Sequence, residues 1–74
     1  MKYKIGTVLK RTNNKYYKYK VIDYVDNFNG HNYKLRRETI LTGDIVEYIF
    51  EISEVENLKK FIPLFKKIKR FKLP

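Results

Sequence analysis

The sequence predicts a mainly β single domain, in which a strongly bent antiparallel sheet or a small barrel of four or five strands is followed by a C-terminal helix. Apolar and polar residues alternate over most of the first fifty positions, as in half-buried strands. Turn-forming residues recur about every ten positions, which is typical of small all-β folds. From Ser53 onward the apolar spacing becomes helical. With 74 residues, the chain has room for one small core.

The first two strands are predicted on either side of Asn13-Asn14, because Asn tolerates the positive φ of tight turns. The first strand lies in "KYKIGTVLKR", and the second lies in "YYKYKVIDYV". In the second, the face that holds Tyr17 and Tyr19 is the more apolar one up to Val21, and the opposite face is more apolar after it. This switch predicts a bend or a β-bulge within the strand.

Two further strands are predicted from turn signals. Asn29-Gly30 is typical of a type I′ hairpin turn, which needs positive φ at Gly30. "NYKLRRE" follows as the third strand. After the turn at 42–44, residues 45–52 alternate again and predict a fourth strand.

The C-terminal segment is predicted to be helical. "SEVE" fits a capping box in which Ser53 and Glu56 cap each other's backbone amides. Pro63 is expected to kink this helix or to begin a second one. The predicted organisation is therefore a sheet over 1–52 and a basic helix over 53–74, both in the same domain. The helical stripe comprises Val55, Leu58, Ile62, Phe65 and Ile68. The predicted core comprises Ile5, Val8, Leu9, Val21, Leu35, Val46, Phe50, Leu58 and Ile62.

The residue types present give little support to catalysis or metal binding. His31 is the single histidine and lies in a predicted turn, while the single serine, Ser53, is explained by capping. The chain has no cysteine, which excludes disulfides and thiolate metal sites and favours a reducing, cytoplasmic location. A calcium loop over 25–36 is excluded because its first and twelfth positions, Val25 and Arg36, lack carboxylates. We therefore expect no enzyme, no cofactor and no metal.

Neither a membrane span nor a secretory leader is expected. No run of about 18 apolar residues is present. The start "MKYKIGTVLKR" lacks the apolar segment of a signal peptide. Lys, Asn, Ile, Tyr and Phe abound while Ala, Gln and Trp are absent, a bias compatible with a phage, a plasmid or another AT-rich source.

The net charge of +9 is unevenly distributed. Residues 1–20 carry seven basic groups and no acidic one, and the same holds for 59–74. Residues 21–58 carry three basic groups and all eight acidic ones. If the two basic ends meet in the fold, they form a positive face that steers an anionic partner. Solubility alone is the simpler explanation of the same charge.

Aromatic and basic residues interleave on the predicted hairpin. Tyrosine rings can stack on bases for about 1–3 kcal/mol each, and lysines can follow the phosphate backbone. The alternative is that these tyrosines pack in the core with their hydroxyls at its rim. One strand face is predicted to hold Tyr16, Lys18, Lys20 and Tyr24. The predicted nucleic-acid-binding residues of the sheet are Tyr16, Lys18, Lys20, Tyr24, Lys34, Arg36 and Arg37.

The tail "FKKIKRFK" is basic and amphipathic if helical. Such a helix can bind nucleic acid, an anionic membrane surface or an acidic protein. Alternatively, Phe65 and Ile68 pack on the sheet while the cations are solvated. The predicted binding residues of the tail are Lys66, Lys67, Lys69, Arg70 and Lys72.

These observations favour a small non-enzymatic protein that binds DNA or RNA through a basic, tyrosine-bearing sheet face and a basic C-terminal helix. The alternative is a protein-binding module, such as a phage- or plasmid-encoded inhibitor that docks on a host protein. An RNA-contacting component of a larger assembly also fits. An exposed strand edge could pair two copies as a homodimer.

The order of the sequence pieces resembles the SH3-like small barrels of the Tudor and chromo type. The matching pieces are Gly6-Thr7-Val8, Tyr16-Tyr17, 21–24, 33–36 and "EVENL" at 54–58. The resemblance implies a small barrel that binds methylated lysine or arginine in an aromatic cage, or binds nucleic acid. Carried over to this sequence, the cage candidates are Tyr17, Tyr24 and Tyr33. The tryptophan common in chromo domains is absent.

Overall fold

The computed structural model describes residues 2–27 and 30–64, which form five antiparallel strands and one short helix. The strands follow the sheet order β4-β3-β2-β1-β5, so that β4 and β5 form the two edges. This confirms the mainly β fold class. The elements are β1 Val8–Arg11, β2 Asn14–Asn27, β3 Gly30–Thr39, β4 Ile45–Glu51, α1 Ile52–Val55 and β5 Phe61–Leu64.

The sheet curls strongly, although within the described residues it does not close into a barrel. β4 pairs with β3 and β5 pairs with β1, and the two edge strands do not pair with each other. Even so, the rings of Phe50 on β4 and Phe61 on β5 lie 5.6 Å apart, nearly edge to face. The concave side of the curl therefore forms the core, and the convex side faces solvent. We call these the inner face and the outer face.

A bulge at Ile22 interrupts β2, as the sequence predicted. Val21 pairs with Leu35 and Asp23 pairs with Lys34, so one residue of β2 has no partner on β3. A bulge of this kind bends the strand and increases its twist. It also moves Tyr24 onto the inner face.

The core lies between the inner face, α1 and the N-terminal segment. Leu9, Val21 and Leu35 are fully buried, which confirms these three predictions. Val8 and Phe50 are partly buried. The core predictions for Ile5, Val46, Leu58 and Ile62 are wrong, because these side chains are exposed. The buried cluster comprises Tyr3, Leu9, Tyr19, Val21, Tyr33, Leu35, Val55 and Phe61.

The predicted long C-terminal helix is wrong over the residues described. α1 has four residues, and its N-cap is Glu51, without a side-chain capping bond. The chain then turns and adds β5 to the edge of β1. In this strand Phe61 becomes fully buried, whereas a helix would have buried Ile62. The rest of the predicted helix, including Phe65 and Ile68, lies outside the described residues.

A hydrogen-bonded cluster fastens the N-terminal segment to the sheet. The Tyr33 hydroxyl donates to Glu56 Oε2 at 2.5 Å and accepts from the Tyr3 amide at 2.9 Å. The Lys2 amide donates to the same Glu56 oxygen at 2.8 Å, and the Tyr24 hydroxyl donates to the Tyr3 carbonyl at 2.6 Å. Glu56 therefore joins the chain just after α1 to both β3 and the N-terminal segment.

In the described part of the chain, no helix is long and apolar enough to cross a membrane.

The hairpin between β2 and β3 is confirmed, with a shift of one position. Asn27 pairs with Gly30, so the connecting positions are 28 and 29 rather than 29 and 30. Gly30 has φ of 106°, in the positive region predicted for it.

Replacing Gly30 with alanine is expected to destabilise the fold by about 1–2 kcal/mol through backbone strain. An added Cβ would meet no atom within 4 Å, so no steric clash contributes. For a domain of this size, the melting temperature should fall by roughly 4–8 °C per kcal/mol. His31→Ala, which changes the exposed neighbour of Gly30, is the control and should change it little. Equal melting temperatures for the two variants would contradict the strain argument.

Candidate nucleic-acid interface

Five cations lie on the outer face of the sheet, and we call this set the basic face. Strand alternation places them there, because the residues between them on β1, β2 and β3 point to the core. Lys10, Lys18, Lys20 and Arg36 are exposed and Lys34 is partly exposed. The basic face comprises Lys10, Lys18, Lys20, Lys34 and Arg36.

The strand register sets like charges directly opposite each other on this face. Lys10 on β1 is opposite Lys18 on β2, and Lys20 on β2 is opposite Arg36 on β3. Directly opposed residues have Cβ atoms about 5 Å apart, and like charges in this position destabilise a sheet. Two neighbouring pairs of opposed cations therefore form a site where a bound anion would relieve repulsion.

Acidic side chains offset part of this charge. Lys18 lies 3.8 Å from Glu38, and Glu47 lies 3.4 Å from Lys34 and 3.9 Å from Arg36. Exposed ion pairs of this kind contribute little, so a phosphate can replace the carboxylate at small cost. Among the described residues, Lys10 and Lys20 have no acidic partner within ion-pair distance.

A cleft of about 230 Å³ lies beside three of these cations, Lys18, Lys20 and Arg36. Both charged and apolar side chains line it, a mixture that suits the sugar–phosphate backbone better than a compact hydrophobic ligand. The cleft is lined by Val8, Lys18, Tyr19, Lys20, Arg36, Glu38 and Ile45.

Tyr16 lies on the outer face at one end of the basic face, as predicted. Its side chain is 47% exposed, and the Lys15 ammonium lies 5.7 Å from its ring centroid. The Tyr16 amide is held by the Asn14 side chain at 2.9 Å, which fixes the backbone at the start of β2. The free ring can stack on a base beside the cations.

Two predicted site residues lie on the other side of the sheet. Tyr24 is placed on the inner face by the bulge, where it pairs with Tyr33 and contacts its ring at 5.8 Å. Arg37 also points inward, with its guanidinium 4.2 Å from the Tyr17 ring and 5.0 Å from the Tyr48 ring. The prediction that Tyr24 shares a face with Tyr16 is wrong, because the bulge reverses the alternation between them.

The sequence analysis missed Lys10 as a member of the site. Alternation alone could have placed Lys10 on the outer face, but its position opposite Lys18 depends on the β1–β2 register. The five tail cations, Lys66, Lys67, Lys69, Arg70 and Lys72, lie outside the described residues.

The remaining polar groups show no arrangement for metal chemistry. In residues 2–27 and 30–64, no three His, Cys, Asp or Glu side chains lie close enough to hold a metal ion. His31 is exposed at the hairpin, with its Nδ1 2.6 Å from Asp26 Oδ1.

The three tyrosines suggested as an aromatic cage are not gathered at one place. Tyr17 and Tyr24 are seven positions apart along β2, roughly 20 Å in an extended strand. The Tyr33 ring is fully buried, and the Tyr17 ring is covered by Arg37. These three rings therefore leave no shared space for a methylated side chain.

Comparison of the chain with protein-family models, curated proteins and solved structures gives no match.

Proposed function

We propose that this protein binds nucleic acid, DNA or RNA, through the basic face of its sheet, with Tyr16 stacking on a base at one end. The proposal rests on two pairs of cations that lie directly opposite each other across neighbouring strands, Lys10 with Lys18 and Lys20 with Arg36. Such an arrangement costs stability in the free protein and gains it when an anion lies between the cations.

The polymeric nature of nucleic acid fits the extent of the site. Successive outer-face residues of one strand are about 7 Å apart, so Lys18 and Lys20 can contact different phosphates of one backbone. Lys10 and Arg36 flank them on the neighbouring strands. The tail cations would add to this binding by charge alone. The cations that line the cleft are Lys18, Lys20 and Arg36, whose side chains suit phosphates, so binding should depend little on base sequence.

The test is to change the two cations without acidic partners, Lys10 and Lys20, to Gln. Binding of fluorescent oligonucleotides, single-stranded and duplex, is measured over a range of salt concentrations. The double variant should bind more weakly, and its salt slope should fall by at most about 1.4 for a single strand and about 1.8 for a duplex. The free energy of unfolding of the double variant should be unchanged or slightly higher, because two like-charge repulsions are removed.

Lys59→Gln with Lys60→Gln is the matched control. These lysines are exposed in the turn before β5 and are not among the five cations of the basic face, and the control makes the same change in net charge. If both double variants lose binding equally, net charge and not this face is responsible. If the unchanged protein binds neither oligonucleotide at low salt, the nucleic-acid proposal fails and the protein-binding alternative takes its place.

A further inference from the structure

The β4 edge of the sheet exposes a row of large apolar side chains. They lie on both faces of the strand and continue into the turn before it. Ile49 is 54% exposed and Ile45 is 58% exposed, although both belong to a regular strand. In the described residues, β4 pairs only with β3, so its outer row of backbone groups is unpaired. The exposed apolar residues here are Ile40, Leu41, Ile45, Val46, Tyr48 and Ile49.

The two edges of the sheet are protected to different degrees. β5 has four residues and includes Pro63, which lacks a backbone donor and blocks the addition of another strand. β4 has seven residues and includes neither proline nor a cation. Natural proteins commonly protect long edge strands with such residues, so the β4 edge, whose charged residues are Glu47 and Glu51, is the less protected of the two and the more open to pairing with another strand.

The acidic residues near this edge reduce the repulsion between two copies of a +9 chain. Residues 38–58 include six acidic groups and no Lys or Arg. Glu47, at the middle of the strand's outer face, is already paired with Lys34 and Arg36 of its own chain. Two β4 edges can therefore approach each other with the nearest cations of each copy, Lys34 and Arg36, offset by Glu47 of the same chain.

We propose that the protein forms a two-fold symmetric dimer in which β4 pairs antiparallel with β4 of a second copy, centred on Tyr48. Tyr48 is the midpoint of β4, so this register pairs all seven residues. It sets Glu47 opposite the partner's Ile49, and Glu51 opposite the partner's Ile45. Centring on Glu47 would set it against itself, and centring on Ile49 would set Glu47 against Glu51. On the inner face, Val46 lies opposite the partner's Phe50.

Two substitutions of opposite charge test the register by their effect on the dimer. The carboxylate introduced by Ile49→Glu would lie opposite Lys34 of its own chain and opposite Glu47 of the partner subunit. The variant should therefore fold normally, and its dimer dissociation constant should rise by roughly tenfold or more. The ammonium group introduced by Ile45→Lys would lie opposite Glu38 of its own chain and opposite Glu51 of the partner subunit, so the dimer dissociation constant should stay the same or fall. Ile62→Glu on β5 is the control and should not weaken it. The measurement is sedimentation equilibrium over a range of concentrations, with circular dichroism to check folding.

Cysteine cross-linking gives a second, independent measurement, since the natural chain has no cysteine. Tyr48→Cys sets two thiols opposite each other on the two-fold axis, with Cα atoms about 4.5–5.5 Å apart, within disulfide range. Mild oxidation should give a covalent dimer. Val46→Cys is the control, because each copy's thiol then lies roughly 13 Å from the other's and should not cross-link.

The outcomes separate this dimer from other uses of the edge. A natural chain that is monomeric at every concentration overturns the proposal and leaves the β4 edge for a strand of another protein. A dimer that survives Ile49→Glu, or that cross-links through Val46→Cys and not Tyr48→Cys, overturns the proposed pairing. Lys10 and Lys20 take no part, so the Gln variants that test nucleic-acid binding should dimerise normally.

Discussion

Replacing Phe61 with alanine is expected to lower the free energy of unfolding by about 3–5 kcal/mol. Phe61 is fully buried, and its ring contacts Tyr19 at 5.1 Å and Phe50 at 5.6 Å. The Arg11 guanidinium lies over the same ring at 4.7 Å. The substitution would therefore remove the contact between the two edge strands as well as core volume. Small domains have about 5–15 kcal/mol of stability, so a large part of it should be lost.

Ile62→Ala is the matched control, since it also shortens a large apolar side chain of β5 to a methyl group, one position away. The Ile62 side chain is 47% exposed, so this substitution should lower the free energy of unfolding only a little. Urea titration followed by circular dichroism measures both variants. The opposite result, with Ile62 the more costly of the two, would restore the helical stripe predicted from the sequence and exclude β5 as a strand.

The second large effect is expected at Tyr33. Tyr33→Phe removes the hydroxyl that donates to Glu56 and accepts from the Tyr3 amide. The Tyr3 amide is buried there, so the loss of its partner should cost about 1–3 kcal/mol at neutral pH. The ring itself would keep its contacts with Tyr3 and Tyr24.

The same hydroxyl should make stability depend on alkaline pH. Burial, and then the hydrogen bond to the Glu56 carboxylate, raises the pKa of Tyr33 from 10.0 to about 12. The folded state therefore favours the protonated hydroxyl. The contribution of this hydroxyl to the free energy of unfolding is complete below pH 10 and is lost as the pH rises towards 12. The loss should reach about 2 kcal/mol at the upper end of this range.

Glu56 should show the opposite dependence in acid. The hydrogen bond from Tyr33 is the largest cause that lowers the pKa of Glu56 below its ordinary value of 4.5. Its contribution is present above pH 4.5 and is lost as the pH falls through the folded-state pKa. Tyr33→Phe should therefore flatten both limbs of the stability profile, measured by urea titration at each pH. Tyr16→Phe, a change at an exposed ring, should leave both limbs unchanged, and equal profiles for the two variants would contradict the coupling.

Local patterns in the sequence were enough to predict the first four strands and their order along the chain. The alternation around Leu9, Val21 and Leu35 identified buried positions correctly, and the switch of faces after Val21 revealed the bulge. The position of Gly30 located the central hairpin to within one residue. These features depend on spacing within single strands.

The features that the sequence analysis missed depend on pairing between strands that are far apart in the sequence. The segment 61–64 has no strand signal stronger than its helical stripe, and only pairing with β1 makes it a strand. The basic face likewise depends on register, because Lys10 and Lys18 become neighbours only across two strands. Tyr24 was assigned to the wrong face although the bulge itself was predicted, since the alternation was continued through it.

The bulge at Ile22 divides β2 into two halves with different constraints on their residues. Before it, odd-numbered positions such as Tyr19 and Val21 face the core, and after it the even-numbered Tyr24 does so. Loss of Ile22 would remove the bulge and leave Val21, Asp23 and Tyr24 in regular alternation opposite Leu35, Lys34 and Tyr33, so each side chain would keep its face while the strand lost its extra bend. A single-codon deletion at Ile22 is therefore expected to keep the core residues of both halves of β2 facing inward and to change mainly the curvature of the sheet.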